Sequence, residues 1–159
     1  MRGQRAAELQ LSLLGKLQIK RAGLPVGDFV SSKAQALLCY LAVTGRPHQR
    51  EMLAALLWGD LPEAEARANL RTVLFNLRKL VGDHLQISRE AVGFNRQSHY
   101  WLDVELFLAW LAAAELPEPP ASSQRAILLP PLRQAVELYR GDFLEGFAVC
   151  QADSFEEWL

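Results

Sequence analysis

Two cysteines in 159 residues, Cys39 inside an apolar run and Cys150 near the end, are too few for a disulfide framework and lack metal-ligand spacing. Both are expected to be plain thiols. The three histidines, His48, His84 and His99, have no cysteine or paired carboxylates at ligand spacing. Neither a glycine-rich phosphate loop nor a Gly-x-Ser-x-Gly nucleophile turn is present. No enzyme activity, metal or cofactor is therefore expected. No stretch approaches the roughly 18 apolar residues of a membrane span, and residues 1–10 lack the apolar core of a secretory signal, so the expected address is cytoplasmic, with no membrane partner. Net charge is scarce too: 17 Lys and Arg face 18 Asp and Glu, a balance of -1 that offers a polyanion no overall attraction.

The charges that are present are unevenly placed. Residues 1–99 carry 14 Lys and Arg against 8 Asp and Glu, a surplus of +6, whereas residues 100–159 carry 3 against 10, or -7. Only the front part is suited to a polyanion. Half of the chain is apolar, enough for one fair-sized core or two small ones.

Leu9, Leu11 and Leu13 alternate with polar residues, Gly15 interrupts, and Leu17 with Ile19 resumes the period of two, which predicts a hairpin with one wet face. Ala22 and Gly23 turn the chain into a short third strand over 24–26, completing a small antiparallel sheet. Ser31 or Ser32 then caps a helix through about residue 43, apolar at Ala34, Leu37, Leu38, Leu41 and Ala42 and ended by Gly45 and Pro47. A second helix spans about 50–58 and stops at Gly59. After a third helix the period returns to two, with Leu85 and Ile87, then Val92 and Phe94, directed inward, Arg89 at the hairpin tip and Arg96 at its exit. Sheet, three helices and hairpin in that order describe a winged helix-turn-helix.

The third helix, residues 62–81, has two contrasting faces. Taking Arg67 as zero and advancing 100° per residue, Leu70, Val73, Leu74, Leu77, Leu80 and Val81 fall between about 220° and 340°, wide enough to anchor the helix. Arg67, Arg71 and Arg78 lie within about 40° of one another, followed by Phe75, Lys79, Thr72 and Asn76. A basic face opposite an apolar one is ordinary on a solvated helix, but such helices usually mix signs into i,i+4 pairs. Here residues 67–79 offer four cations and no anion, so the stripe is expected to be unpartnered within the fold. Phe75 is either core, if the helix is covered on two sides, or a thymine-methyl contact. Asp60 or Leu61 starts the helix with Pro62 in its first position, and Gly82 ends it.

Beyond residue 103 a helical period at Val104, Phe107, Leu108 and Leu111 fades into a loop over 116–123 with three prolines. Another helix spans 127–139, apolar at Leu128, Leu132, Val136 and Tyr139, and residues 154–159 read as the opening of one more, which suggests a fragment of a longer protein. Trp110 and Trp158, each on an apolar helical face, are expected in the core. The expected fold is thus an α+β winged helix-turn-helix with an N-terminal antiparallel sheet, residues 1–99. An all-α, helical-repeat-like (TPR-like) segment comes next, over 100–159.

The segments LSLLGKLQIKRAGLPV, AALLW, NLRTVLFNLRKLVG, LYRGDFLEGF and FEEWL together resemble bacterial activators of the Streptomyces antibiotic regulatory protein type, in which a winged helix like that of OmpR and PhoB precedes a bacterial transcriptional activator domain. The resemblance covers nearly the whole chain. It implies a transcriptional regulator that binds double-stranded DNA sequence-specifically, third helix in the major groove and wing on an adjoining groove or backbone, with copies often on tandem repeats as a homodimer. Carried onto this sequence, Arg67, Arg71, Arg78 and Lys79 face groove or phosphates, and Arg89 sits on the wing tip. Thr72, Phe75 and Asn76 are candidates to read bases, and Lys33, Arg46 and Arg50 to clamp phosphates. Two positions depart from the pattern: Gln49 stands where such proteins often place Ser, and Phe75 where a small or polar residue is usual. The competing reading is a winged-helix protein-interaction module without DNA binding. The acidic second half could contact RNA polymerase or a sister subunit, or fold against the basic face.

Overall fold

The computed structural model describes residues 8–114 and 122–159. Alternation builds its first sheet. In β1 (Leu9–Ser12) Leu9 and Leu11 are fully buried while Gln10 and Ser12 stay partly open. β2 (Gln18–Arg21) pairs antiparallel to it, Leu11 opposite Ile19. β3 (Leu24–Pro25) comes after a two-residue turn in which Ala22 and Gly23 both adopt positive φ, 52° and 79°, as a tight hairpin with the strands' own twist requires.

The sheet is not wholly antiparallel as expected. Its fourth member is the last strand of the chain, β7 (Tyr100–Leu102), which runs parallel to β1 in the order β3-β2-β1-β7. Three residues are too short to show a period, and their partner lies some ninety positions earlier. Three helices fill the space between: α1 (Ser32–Thr44), α2 (Arg50–Trp58) and α3 (Glu63–Val81). All five apolar positions expected inward on α1 are buried, and Gly45 ends it in the left-handed region, φ 63°, its N–H bonded to Leu41 O. A short strand, β4 (His48–Gln49), precedes α2, and the wing is β5 (Leu85–Ile87) with β6 (Ala91–Phe94). β6 lies between the other two.

Asp103 links this front part to the C-terminal helices. It opens α4 (Asp103–Ala114) at the end of β7 and is 1% exposed. Its carboxylate accepts the N–H of Leu13 (2.9 and 2.8 Å), Leu14 (2.9 Å) and Val104 (2.8 Å). A buried anion is tolerable there because backbone dipoles solvate it, with the Arg140 guanidinium 3.8 Å away. Beside this contact Leu144 N–H bonds Leu13 O (2.7 Å) and Gly15 N–H bonds Asp142 O (2.9 Å). Leu144, Val149, Ala152 and Phe155 join the same buried cluster as Leu9, Leu37 and Leu57. The final helix, α6 (Asp153–Trp158), lies against α2, with the Trp158 ring 4.9 Å from that of Tyr40. Cys39 sits in that core, where burial and then the Asp103 charge push its thiol up to about 12, so it is inert; Cys150 is exposed.

α4 and α5 (Ser122–Leu138) pack on each other, and here three expectations need correction. Trp110 is 37% exposed rather than core; Trp158 is half-buried against aromatic neighbours. Leu132, Val136 and Tyr139 point outward, Val136 at 72% exposure, while Ala135 is buried; the side chain of Leu128 lies outside the described residues. Helical spacing marks a stripe but does not say which neighbour covers it. α5 also begins earlier than expected and runs through Pro130 and Pro131, so Ser122 and Ser123 are helical; the rest of the expected proline loop, through residue 121, lies outside the described residues. Among the described residues this helix pair is not repeated, and no helix is long and apolar enough to cross a membrane.

Replacing Asp103 by Ala leaves the Leu13 and Leu14 N–H groups buried and unpaired, and should cost about 2–4 kcal/mol of unfolding free energy. Urea denaturation measures this; a loss below about 1 kcal/mol would show that the clamp is not needed.

Candidate nucleic-acid interface

α3 buries Ala66, Leu70, Val73, Leu74, Leu77 and Val81, which turns the opposite side to solvent. Pro62 precedes the helix in an extended conformation instead of occupying its first position, and Gly82 leads into a 3-10 turn (Gly82–His84). Along the outer side Arg71, Thr72, Phe75, Arg78 and Lys79 are exposed. Phe75 is 62% exposed, which rules out a core role, and the Lys79 ammonium lies 4.5 Å from its ring centre. Thr72 returns its hydroxyl hydrogen to Ala68 O at 3.2 Å, leaving the oxygen lone pairs outward.

Two members of the expected stripe are occupied. Arg67 donates to Glu63, one turn back, and lies 3.8 Å from Glu51 of α2, so the stripe is not wholly unpartnered. Glu63 lies one turn ahead of the anion-free run of residues 67–79, and Glu51 comes from another helix. Asn76 uses both ends of its amide: Oδ1 accepts from Val30 N–H and Nδ2 donates to Asp28 O, each at 3.0 Å. It holds the segment before α1, whose Asp28 has φ 61°. One N–H and one oxygen lone pair of the amide are thereby committed within the fold.

The start of α2 and the wing are tied together. Arg50 N–H bonds Glu90 O at 3.0 Å, and Arg50 Nε donates to Ser88 O at 2.9 Å. Ser88 Oγ in turn accepts the Ala91 N–H at 3.0 Å and shapes the hairpin tip beneath exposed Arg89. Gln49, at the cap position of α2, makes no side-chain cap bond, so the link to the wing does that fixing instead.

The result is a recess of about 180 Å³ lined by Arg50, Arg67, Arg71 and Arg89 together with Glu51 and Leu70. Four arginines from two helices and the wing thus line one recess, and its carboxylate, Glu51, lies 3.8 Å from Arg67. Among the described residues Arg71, Arg78 and Arg89 have no ion pair. The remaining expected contacts lie elsewhere: Arg46 is exposed after α1, outside the recess, while Lys33 donates to Gln151 O at 3.3 Å and lies 5.3 Å from the Trp58 ring centre. Arg96, at the wing exit, pairs with Glu105. Glu51 is the recess member that sequence reasoning missed; its place beside Arg50 at the start of α2 was the available signal.

No family model matches the chain. The transcriptional regulatory protein EmbR of Mycobacterium bovis, and that of two strains of Mycobacterium tuberculosis, are each 37% identical to it over 75 residues, 46% of this chain. The aligned part is 19% of those relatives' length, about a fifth of them. The solved structure of Mycobacterium tuberculosis EmbR in complex with a low affinity phosphopeptide superposes with a TM-score of 0.69 and 23% identity, over 98% of this chain and 41% of that one. The chain shares that fold, a mixed α+β winged helix-turn-helix with an N-terminal sheet and C-terminal helices. Over the 75 aligned residues the chain is similar to EmbR in sequence, and over nearly its whole length it is similar to EmbR in fold.

Proposed function

We propose that this chain binds double-stranded DNA sequence-selectively as part of a transcriptional regulator, with the outer side of α3 in the major groove and the wing on an adjoining groove or the backbone. The observation that carries the reading is the set of exposed cations on α3 and the wing, Arg71, Arg78 and Arg89, left without an ion pair among the described residues beside a recess where basic groups converge. An α-helix fits the major groove, and phosphates supply the missing counter-charge. The similarity to proteins named as transcriptional regulators supports the same reading.

Exposure and hydrogen bonding support the following roles. Arg71, at the middle of the exposed face, is the residue for a guanine edge; Phe75 offers a surface to a thymine methyl, and Thr72 its hydroxyl oxygen. Arg78, Lys79, Arg89, Arg50 and Arg46 hold phosphates. Asn76 and Lys33 act from behind, one fixing the segment before α1 and the other bracing Gln151 and Trp58. Residues 1–99 would form the DNA-reading part. The acidic residues 100–159 would open a helical, repeat-like activator segment facing a protein such as RNA polymerase. Copies would sit as a homodimer on tandem repeats in the cytoplasm.

Selection from a random duplex pool, followed by fluorescence anisotropy, tests the reading. With four to six phosphates engaged, log affinity should fall with log salt at a slope of roughly -3.5 to -5.5. A flat response with no preference over scrambled duplex would favour the protein-interaction module. Replacing Arg71 by Ala should cost about 1–3 kcal/mol on the selected duplex and much less on scrambled duplex; an equal loss on both would make it a phosphate contact.

A further inference from the structure

Arg67 is the guanidinium of the recess that is already spoken for. It is half-exposed, donates to Glu63 across one helical turn, and has Glu51 Oε1 at 3.8 Å. Glu51 is the one carboxylate lining the recess; Arg50, Arg71 and Arg89 supply its other charges. Two anions, one on α2 and one on α3, thus bracket a single cation at the edge of a surface otherwise suited to phosphates.

Exposed ion pairs contribute little to stability, so their place here is poorly explained as scaffolding. Their effect on a polyanion is larger. A phosphate entering the recess meets the Glu51 charge at short range, and it gains Arg67 only by drawing it away from two carboxylates. Sequence-independent affinity depends on how many phosphates the protein neutralises, and each one adds about 0.9 to the steepness of the salt dependence.

We propose that Glu51 and Glu63 restrain Arg67, so that the chain engages duplex DNA with one phosphate fewer than its basic surface could hold, and that Glu51 thereby limits binding to unselected sequence. This rests on the DNA-binding reading above. It makes Arg67 a held-back cation and Glu51 a residue that sets the ratio of selective to indiscriminate binding, because weakening the electrostatic part alone leaves base contacts such as that of Arg71 untouched.

The test is the salt dependence of anisotropy on two labelled duplexes, one selected from a random pool and one of scrambled sequence, for the whole chain and three variants. Glu51→Gln with Glu63→Gln should tighten scrambled-duplex binding by about fivefold at low salt and steepen its slope by about 0.9. Arg67→Ala in the unaltered background should change the slope by much less than 0.9, whereas adding it to the double variant should return the slope to its starting value. All these positions are exposed, and unchanged circular dichroism confirms each fold; Glu63→Gln alone serves if the double variant does not fold, with the same steepening expected in smaller degree. If Arg67→Ala alone flattens the slope by about 0.9, or if the glutamine variants keep the starting slope, the restraint is overturned while DNA binding stands. If the unaltered chain binds neither duplex, the DNA reading falls and the restraint with it.

Discussion

The one-sided burial of α3 is the constraint on which the rest depends. Leu70, Val73, Leu74, Leu77 and Val81 are at most 4% exposed, and each such side chain contributes about 1.5–3 kcal/mol by leaving water. The exposed pairing of Arg67 with Glu63 and Glu51 contributes at most about 1 kcal/mol. Packing therefore sets the rotation of the helix, and surface charge cannot override it. Once those five residues are seated, Arg71, Phe75, Arg78 and Lys79 have nowhere to go but outward.

The face so displayed is framed by neighbours that do not belong to the helix. Asn76 ties it to the backbone before α1, and Arg50 ties the start of α2 to the wing tip through Ser88 and Glu90. Asp103 binds the end of β1 to the start of α4, and residues 142–158 bring Leu144 and Phe155 into the shared core. α6 packs against α2, the helix that carries Arg50 and Glu51 of the basic recess.

The features legible in the sequence are those that short periods encode. Leu37 and Leu41 on α1, Leu70 and Leu77 on α3, and Val92 opposite Ile87 in the wing lie inward because local spacing alone determines their face. Turn chemistry marks the Ala22 and Gly23 hairpin and the end of α1 at Gly45. The missing pieces join residues far apart. Asp103 meets Leu13 across ninety positions, β7 pairs with β1 across a similar gap, and Glu51 reaches Arg67 from another helix. No periodicity announces such contacts. Trp110 and Val136 illustrate the converse: their spacing resembles a core stripe, yet which side of α4 and α5 is covered is decided by neighbours rather than by the stripe. On α3 the same division holds. The exposure of Arg71 and Arg78 is visible in the helical period, whereas the commitments of Asn76 and Arg67 come from the segment before α1, from α2 and from Glu63.

The most direct test of the central claim, that the outer side of α3 receives duplex DNA, is an amide chemical-shift map of the isotope-labelled chain titrated with a selected duplex. The largest shifts are expected on residues 67–79 of α3 and on the wing tip around Ser88 and Arg89, with α4 and α5 little changed. Shifts concentrated on α4 and α5, with α3 silent, would contradict it.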